Sequence, residues 1–117
     1  MSLNEQVPVG MESQFQRAAE QWLAYRGYLP STPRTLQAGR PKRGWQYHWP
    51  RCQGNPLILD LLLLGLDGRW LQIELKTSVG RLSKHQACIV DQAGPCAAVC
   101  RSLDEVIRVV TNWENSK

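Results

Sequence analysis

The stretch PLILDLLLLGLDGRWLQIELKTS, residues 56–78, decides the fold. Two apolar runs flank a segment that holds Gly65, Asp67 and Gly68, which predicts two strands joined by a glycine-containing turn. In the second strand, residues two apart share a face. Leu71, Ile73 and Leu75 therefore point to a core, while Gln72, Glu74 and Lys76 point the other way. Taken alone, that polar set reads as an ordinary wet face. Asp60 is harder to place, because it lies between Leu59 and Leu61 in a run that is apolar on both faces, as a central strand's is. A bare carboxylate there costs several kcal/mol unless it is paired, protonated or bound to a metal.

The turn sets whether Asp60 meets Glu74. A two-residue turn at Asp67 and Gly68 puts Asp60 opposite Leu75, with Asp60 and Glu74 on opposite faces. A three-residue loop of Leu66, Asp67 and Gly68, with the glycine left-handed, puts Asp60 opposite Glu74 with Cβ atoms about 5 Å apart. The glycine suits both. In the second register a divalent cation removes the repulsion between the carboxylates, and Lys76 adds a further positive charge. Carboxylates with a backbone carbonyl and waters are the donors Mg²⁺ prefers, and such an ion suits phosphodiester hydrolysis, with Lys76 orienting the nucleophile or stabilising developing charge. The rival arrangement is an Asp60 to Lys76 salt bridge that leaves Glu74 exposed. Neither His48 nor His85 is required.

Outward from the hairpin, residues 11–27 (MESQFQRAAEQWLAYRG) predict a helix, with Phe15, Ala18, Ala19, Trp22 and Leu23 on one stripe and Gly27 as its stop. Residues 28–44, with three prolines, read as an irregular exposed loop, and residues 45–49 (WQYHW) as a short strand. Ser83 and Gln86 form a capping box for a helix running to about Gln92. Residues 95–101 (PCAAVCR) predict a strand, and Ser102 with Glu105 opens a last helix whose buried stripe is Leu103, Val106, Ile107 and Val110. The expected order is α-β-β-β-α-β-α, an α/β fold with a small mixed sheet and helices on its faces. All 117 residues fit one domain, with residues 1–10 expected to be flexible.

Net charge is +4, and no acidic residue occurs between Glu20 and Asp60. Arg26, Arg34, Arg40, Lys42, Arg43 and Arg51 all fall in that interval, with Trp45, Tyr47 and Trp49 interleaved, a composition suited to a phosphate backbone and its bases. The four cysteines form no CxxC pair and are expected to be small buried thiols. The longest apolar run is broken by Asp60 and too short to cross a bilayer, and no signal segment opens the chain, so a soluble, cytoplasmic protein is expected.

LDLLLL, the glycine turn and WLQIELKTSVGRLSKHQ together resemble the PD-(D/E)XK nuclease superfamily, and within it the virus-type replication-repair nuclease (VRR-NUC) domain. Residues 11–30 also look like that family's opening helix. The resemblance implies a restriction-endonuclease-like fold and a Mg²⁺- or Mn²⁺-dependent DNA endonuclease. Branched or flapped DNA is the implied substrate, in replication, repair or recombination, whether the source is a phage, another virus or a cell. It gives Asp60 and Glu74 as metal ligands, with the Leu75 carbonyl, and Lys76 as catalytic. It also places Gln86 in the site, where the capping box is the competing role, and Glu12 as an assisting carboxylate, ahead of Glu20. A helix N-terminus favours an acidic residue at Glu12 in any case. The DNA contacts expected are Arg34, Arg40, Lys42, Arg43, Arg51, Arg81 and Lys84. The family usually carries proline directly before the Asp; here Leu59 stands there and the nearest proline is Pro56. A homodimer with two sites is expected, with neither an organic cofactor nor a membrane contact. The alternative is a nucleic-acid-binding module that keeps the fold without turnover.

Overall fold

The computed structural model describes residues 12–30, 39–48 and 59–116, with the side chains of Glu12, Ser13 and His48 outside that description. The elements are α1 (Glu12–Arg26), β1 (Tyr28–Pro30), β2 (Gly44–His48), β3 (Leu61–Gly65), β4 (Trp70–Leu75), α2 (Lys84–Ala93), a 3-10 turn (Gly94–Cys96), β5 (Ala97–Cys100) and α3 (Leu103–Asn115). The strands form one mixed sheet in the order β1-β2-β3-β4-β5. Its outer pairs, β1 with β2 and β4 with β5, are parallel, and its two inner pairs are antiparallel.

The order differs from expectation by one strand and by the 3-10 turn, which takes Pro95 and Cys96 from the expected strand. Tyr28–Pro30, expected within an irregular loop, pairs with Gly44, Trp45 and Gln46 as a parallel edge strand. Three residues are too few to show a period, and Pro30, which cannot donate to a ladder, is tolerated at a sheet edge. The remaining elements match the expected set, although the residues expected at 31–38, 49–58 and 1–10 lie outside the described ones.

One face of the sheet carries the core. Leu61, Leu63, Leu71, Ile73 and Leu75 pack there with Phe15, Ala19 and Leu23 of α1 and Val106 and Val110 of α3. Trp22 and Trp113 close it from the sides. Gly27 ends α1 as expected, donating to the carbonyls of Leu23 and Ala24 at 3.1 Å. In β2 the polar Gln46 is buried and the aromatic Tyr47 is exposed. The Gln46 amide is satisfied in the interior, donating to the Tyr28 carbonyl at 2.7 Å and the Glu20 carbonyl at 3.3 Å. The expectation of buried thiols holds for Cys100 and fails for Cys88, which is exposed on α2; Cys96 is half-buried and Cys52 lies outside the described residues. Among the described residues no helix is long and apolar enough to cross a membrane.

Candidate metal centre

The hairpin register follows from the ladder. Leu61 pairs with Ile73, Leu62 with Gln72, Leu63 with Leu71 and Leu64 with Trp70. The loop is therefore the three-residue one, Leu66, Asp67 and Gly68, and continuing the ladder by one residue sets Asp60 opposite Glu74. The Gly65 amide donates to the Arg69 carbonyl at 2.8 Å, and the Gly68 amide to the Gly65 carbonyl at 3.1 Å. Gly68 has φ +89°, a left-handed conformation that strains other residues. Asp67 fixes the loop from within: its carboxylate accepts from the Arg69 amide at 3.0 Å and from Arg69 Nε at 2.6 Å.

Where the ladder ends, the two carboxylates take over. The Asp60 amide donates to Glu74 Oε1 at 3.3 Å, and Asp60 Oδ2 accepts from the Leu75 amide at 3.0 Å. Glu74 Oε2 accepts from Gln86 Nε2 at 2.8 Å and lies 3.5 Å from Lys76 Nζ. The Glu74 side chain is 3% exposed and that of Lys76 16%. Burial, and then the negative charge and carboxyl contact of Asp60, push the Glu74 carboxyl up to about 7, while Lys76 pulls the other way.

Two alternative readings of this strand are not the ones formed. The face of Gln72 and Glu74 is not wet, since both residues are buried. Lys76 pairs with Glu74 rather than with Asp60, so the rival arrangement with an exposed Glu74 is not the one formed. Gln86 forms the expected cap and also contacts Glu74. Its Oε1 accepts from the Ser83 amide at 2.8 Å and its backbone amide donates to Ser83 Oγ at 3.1 Å, which completes the capping box. The free end of the same amide then reaches Glu74.

Gln72 and Arg101 were not expected to matter. Gln72 Oε1 accepts from the buried Leu59 amide at 3.0 Å and so fixes the residue that leads into Asp60. Arg101 Nη1 donates to the Thr77 carbonyl at 2.6 Å and ties the segment after Lys76 to the end of β5. For Gln72 the available signal was the departure at Leu59: an amide in a buried run must find an acceptor. Arg101 gave no such signal.

The donor set fits a hard cation. Two carboxyls in contact, one of them raised by burial first and by the other's charge second, supply oxygen ligands of the kind Mg²⁺ or Mn²⁺ takes, and an ion there would relieve their repulsion. Among the described residues no group of three His, Cys, Asp or Glu side chains converges, so Asp60 and Glu74 stand there as a pair. Glu12 begins α1, but its side chain lies outside the described residues; Glu20 is half-buried in the same helix.

The expected DNA contacts divide between two ends of the sheet. Arg81 and Lys84 are exposed at the carboxylate end, in the connection after β4 and at the first residue of α2. Arg40, Lys42 and Arg43 are exposed just before Gly44, which pairs with Gly65 at the hairpin's turn end. They do not flank Asp60, five residues and about 17 Å away along β3. Arg34 and Arg51 lie outside the described residues. Comparison with family models, curated proteins and solved structures finds no match to this chain.

Proposed function

We propose that this chain is a Mg²⁺- or Mn²⁺-dependent DNA endonuclease of the VRR-NUC type, with a restriction-endonuclease-like fold, acting on branched or flapped DNA. The observation that carries the proposal is the meeting of Asp60 and Glu74 across the hairpin, with Lys76 Nζ 3.5 Å from Glu74. Asp60, Glu74 and the Leu75 carbonyl would hold the ion, which when bound supplies a Lewis acid and an activated water. Lys76 then offers its ammonium to the negative charge that develops on the phosphate. Gln86 orients Glu74 and joins it to the first turn of α2. That turn holds no acidic residue and begins with Lys84, so the helix end facing the site is positive and suits a phosphate. On the same sheet face, the exposed rings of Tyr47 and Trp70 offer stacking surfaces for unpaired bases.

The test is cleavage of flapped and four-way DNA by the purified chain. Mg²⁺ or Mn²⁺ should support cutting and EDTA should stop it. Asp60→Asn, Glu74→Gln and Lys76→Ala should each lower the rate by about 10²–10³-fold or more. Cutting that survives EDTA or these substitutions refutes the proposal. Salt-sensitive binding without cutting under either metal would favour the non-catalytic module instead.

A further inference from the structure

At the turn end of the sheet, the last turn of α1, the segment before β2 and the last turn of α3 come together. Tyr25, Arg26, Lys42 and Arg43 line an open groove there of about 640 Å³. Lys42 and Arg43 continue into a smaller depression of about 250 Å³ bordered by Asp67, Arg69, Trp113 and Glu114. Arg26, Lys42 and Arg43 bring three cations to this groove, and Arg40 is exposed two residues before Lys42 in the same segment.

Glu114 is the carboxylate that faces them. It accepts from Arg26 Nε at 3.2 Å, from Arg26 Nη2 at 2.5 Å and from the Tyr28 hydroxyl at 2.7 Å, and lies 3.7 Å from Arg43 Nη1. With Asp67 taken by Arg69, this one carboxylate cannot neutralise Arg26, Lys42 and Arg43 together. It does hold Arg26 in a fixed orientation, which reduces the ordering cost of binding an anion. Arg69 is committed elsewhere, to Asp67 and to the Trp113 carbonyl. Arg40 and Lys42 have no carboxylate partner among the described residues, and the Tyr25 ring is 90% exposed at the rim.

We infer that this groove is a second nucleic-acid grip, which takes the phosphate backbone of a duplex arm remote from the carboxylate pair. Arg40 and Lys42 neutralise phosphates, Arg26 and Arg43 form the fixed floor, and Tyr25 lies against the sugar edge. The inference rests on the proposed function only for the identity of the polyanion. It needs no catalysis.

The test uses the full chain, a fluorescent 20-bp duplex and no divalent ion, with anisotropy read across a salt series. Arg40→Ala with Lys42→Ala should weaken binding about tenfold at low salt. It should also reduce the slope of log K against log salt by about 1.8, or 0.9 for each phosphate that is no longer neutralised. Arg17→Ala with Arg108→Ala removes two exposed charges from outer helix faces and should change the slope by much less. Equal slopes for the two pairs, or an unchanged slope in the first, overturn the inference. Because no metal is present, a failure to cut DNA leaves this result standing, and a failed grip leaves cutting untouched. Neither pair anchors the fold, so thermal unfolding should match the parent chain.

Discussion

Glu74 couples the fold to the site through one proton. Its carboxyl is pushed up to about 7 by burial first and by Asp60 second, against an ordinary value of 4.5. Between those two values the folded chain holds a proton that the unfolded chain has released. Stability therefore falls as pH rises from about 4.5 to about 7 and levels off above. A divalent ion that replaces the proton should remove this loss, and Glu74→Gln should flatten the profile without metal. Urea unfolding at half-unit steps from pH 4.5 to 8, in EDTA and in Mn²⁺, checks both; parallel profiles for the parent and Glu74→Gln contradict the linkage. Gln72 supports the neighbouring residue differently, as the acceptor for a buried amide at Leu59. Gln72→Leu should cost about 1–3 kcal/mol by leaving that amide unpaired. In a Leu59→Pro background, which has no N–H to satisfy there, the same Gln72→Leu change should cost much less, although Leu59→Pro itself costs stability by removing a buried side chain. A double-mutant cycle in urea that shows simple additivity would contradict this pairing.

The hairpin was legible as two strands because its apolar positions recur at the right period, and the core face of Leu71, Ile73 and Leu75 came out as expected. Its register was not legible, since Asp67 and Gly68 suit either loop length. The choice is made by bonds that run across the loop, above all from Arg69 back to Asp67. Nor was the burial of Glu74 legible: the alternation of β4 shows which residues share a face, but not that α2 returns over that face through Gln86. β1 escaped notice because three residues with a proline carry no pattern of their own. Its strand character depends on Gly44, Trp45 and Gln46, sixteen residues later in the chain. Gly68 gives the element-scale prediction. With φ +89°, Gly68→Val should destabilise the chain by about 1–2 kcal/mol, and Gly68→Asn by clearly less, because asparagine tolerates the left-handed region. Equal urea midpoints for the two variants would show that the loop does not need that conformation.

At the scale of the molecule, positive charge that is one tract in sequence is separated by the sheet. Composition could show an acid-free interval from Glu20 to Asp60, but only the ladder shows that Arg40, Lys42 and Arg43 lie at the turn end, while Arg81 and Lys84 lie with Asp60 and Glu74. The ends are about 17 Å apart along β3, well beyond the roughly 7–10 Å within which substitutions usually couple. At 3.4 Å per base pair this is about five base pairs, so a duplex of two helical turns is long enough to touch both ends. Losses from the two ends should then add. On a 20-bp duplex, the free-energy cost of Arg40→Ala with Lys42→Ala and that of Arg81→Ala with Lys84→Ala should sum to the cost of all four within about 0.5 kcal/mol. The salt slope should fall in two equal steps. A coupling above about 1 kcal/mol in the anisotropy cycle would mean that the two sets compete for the same phosphates, and the separation of grip from carboxylate pair would have to be given up.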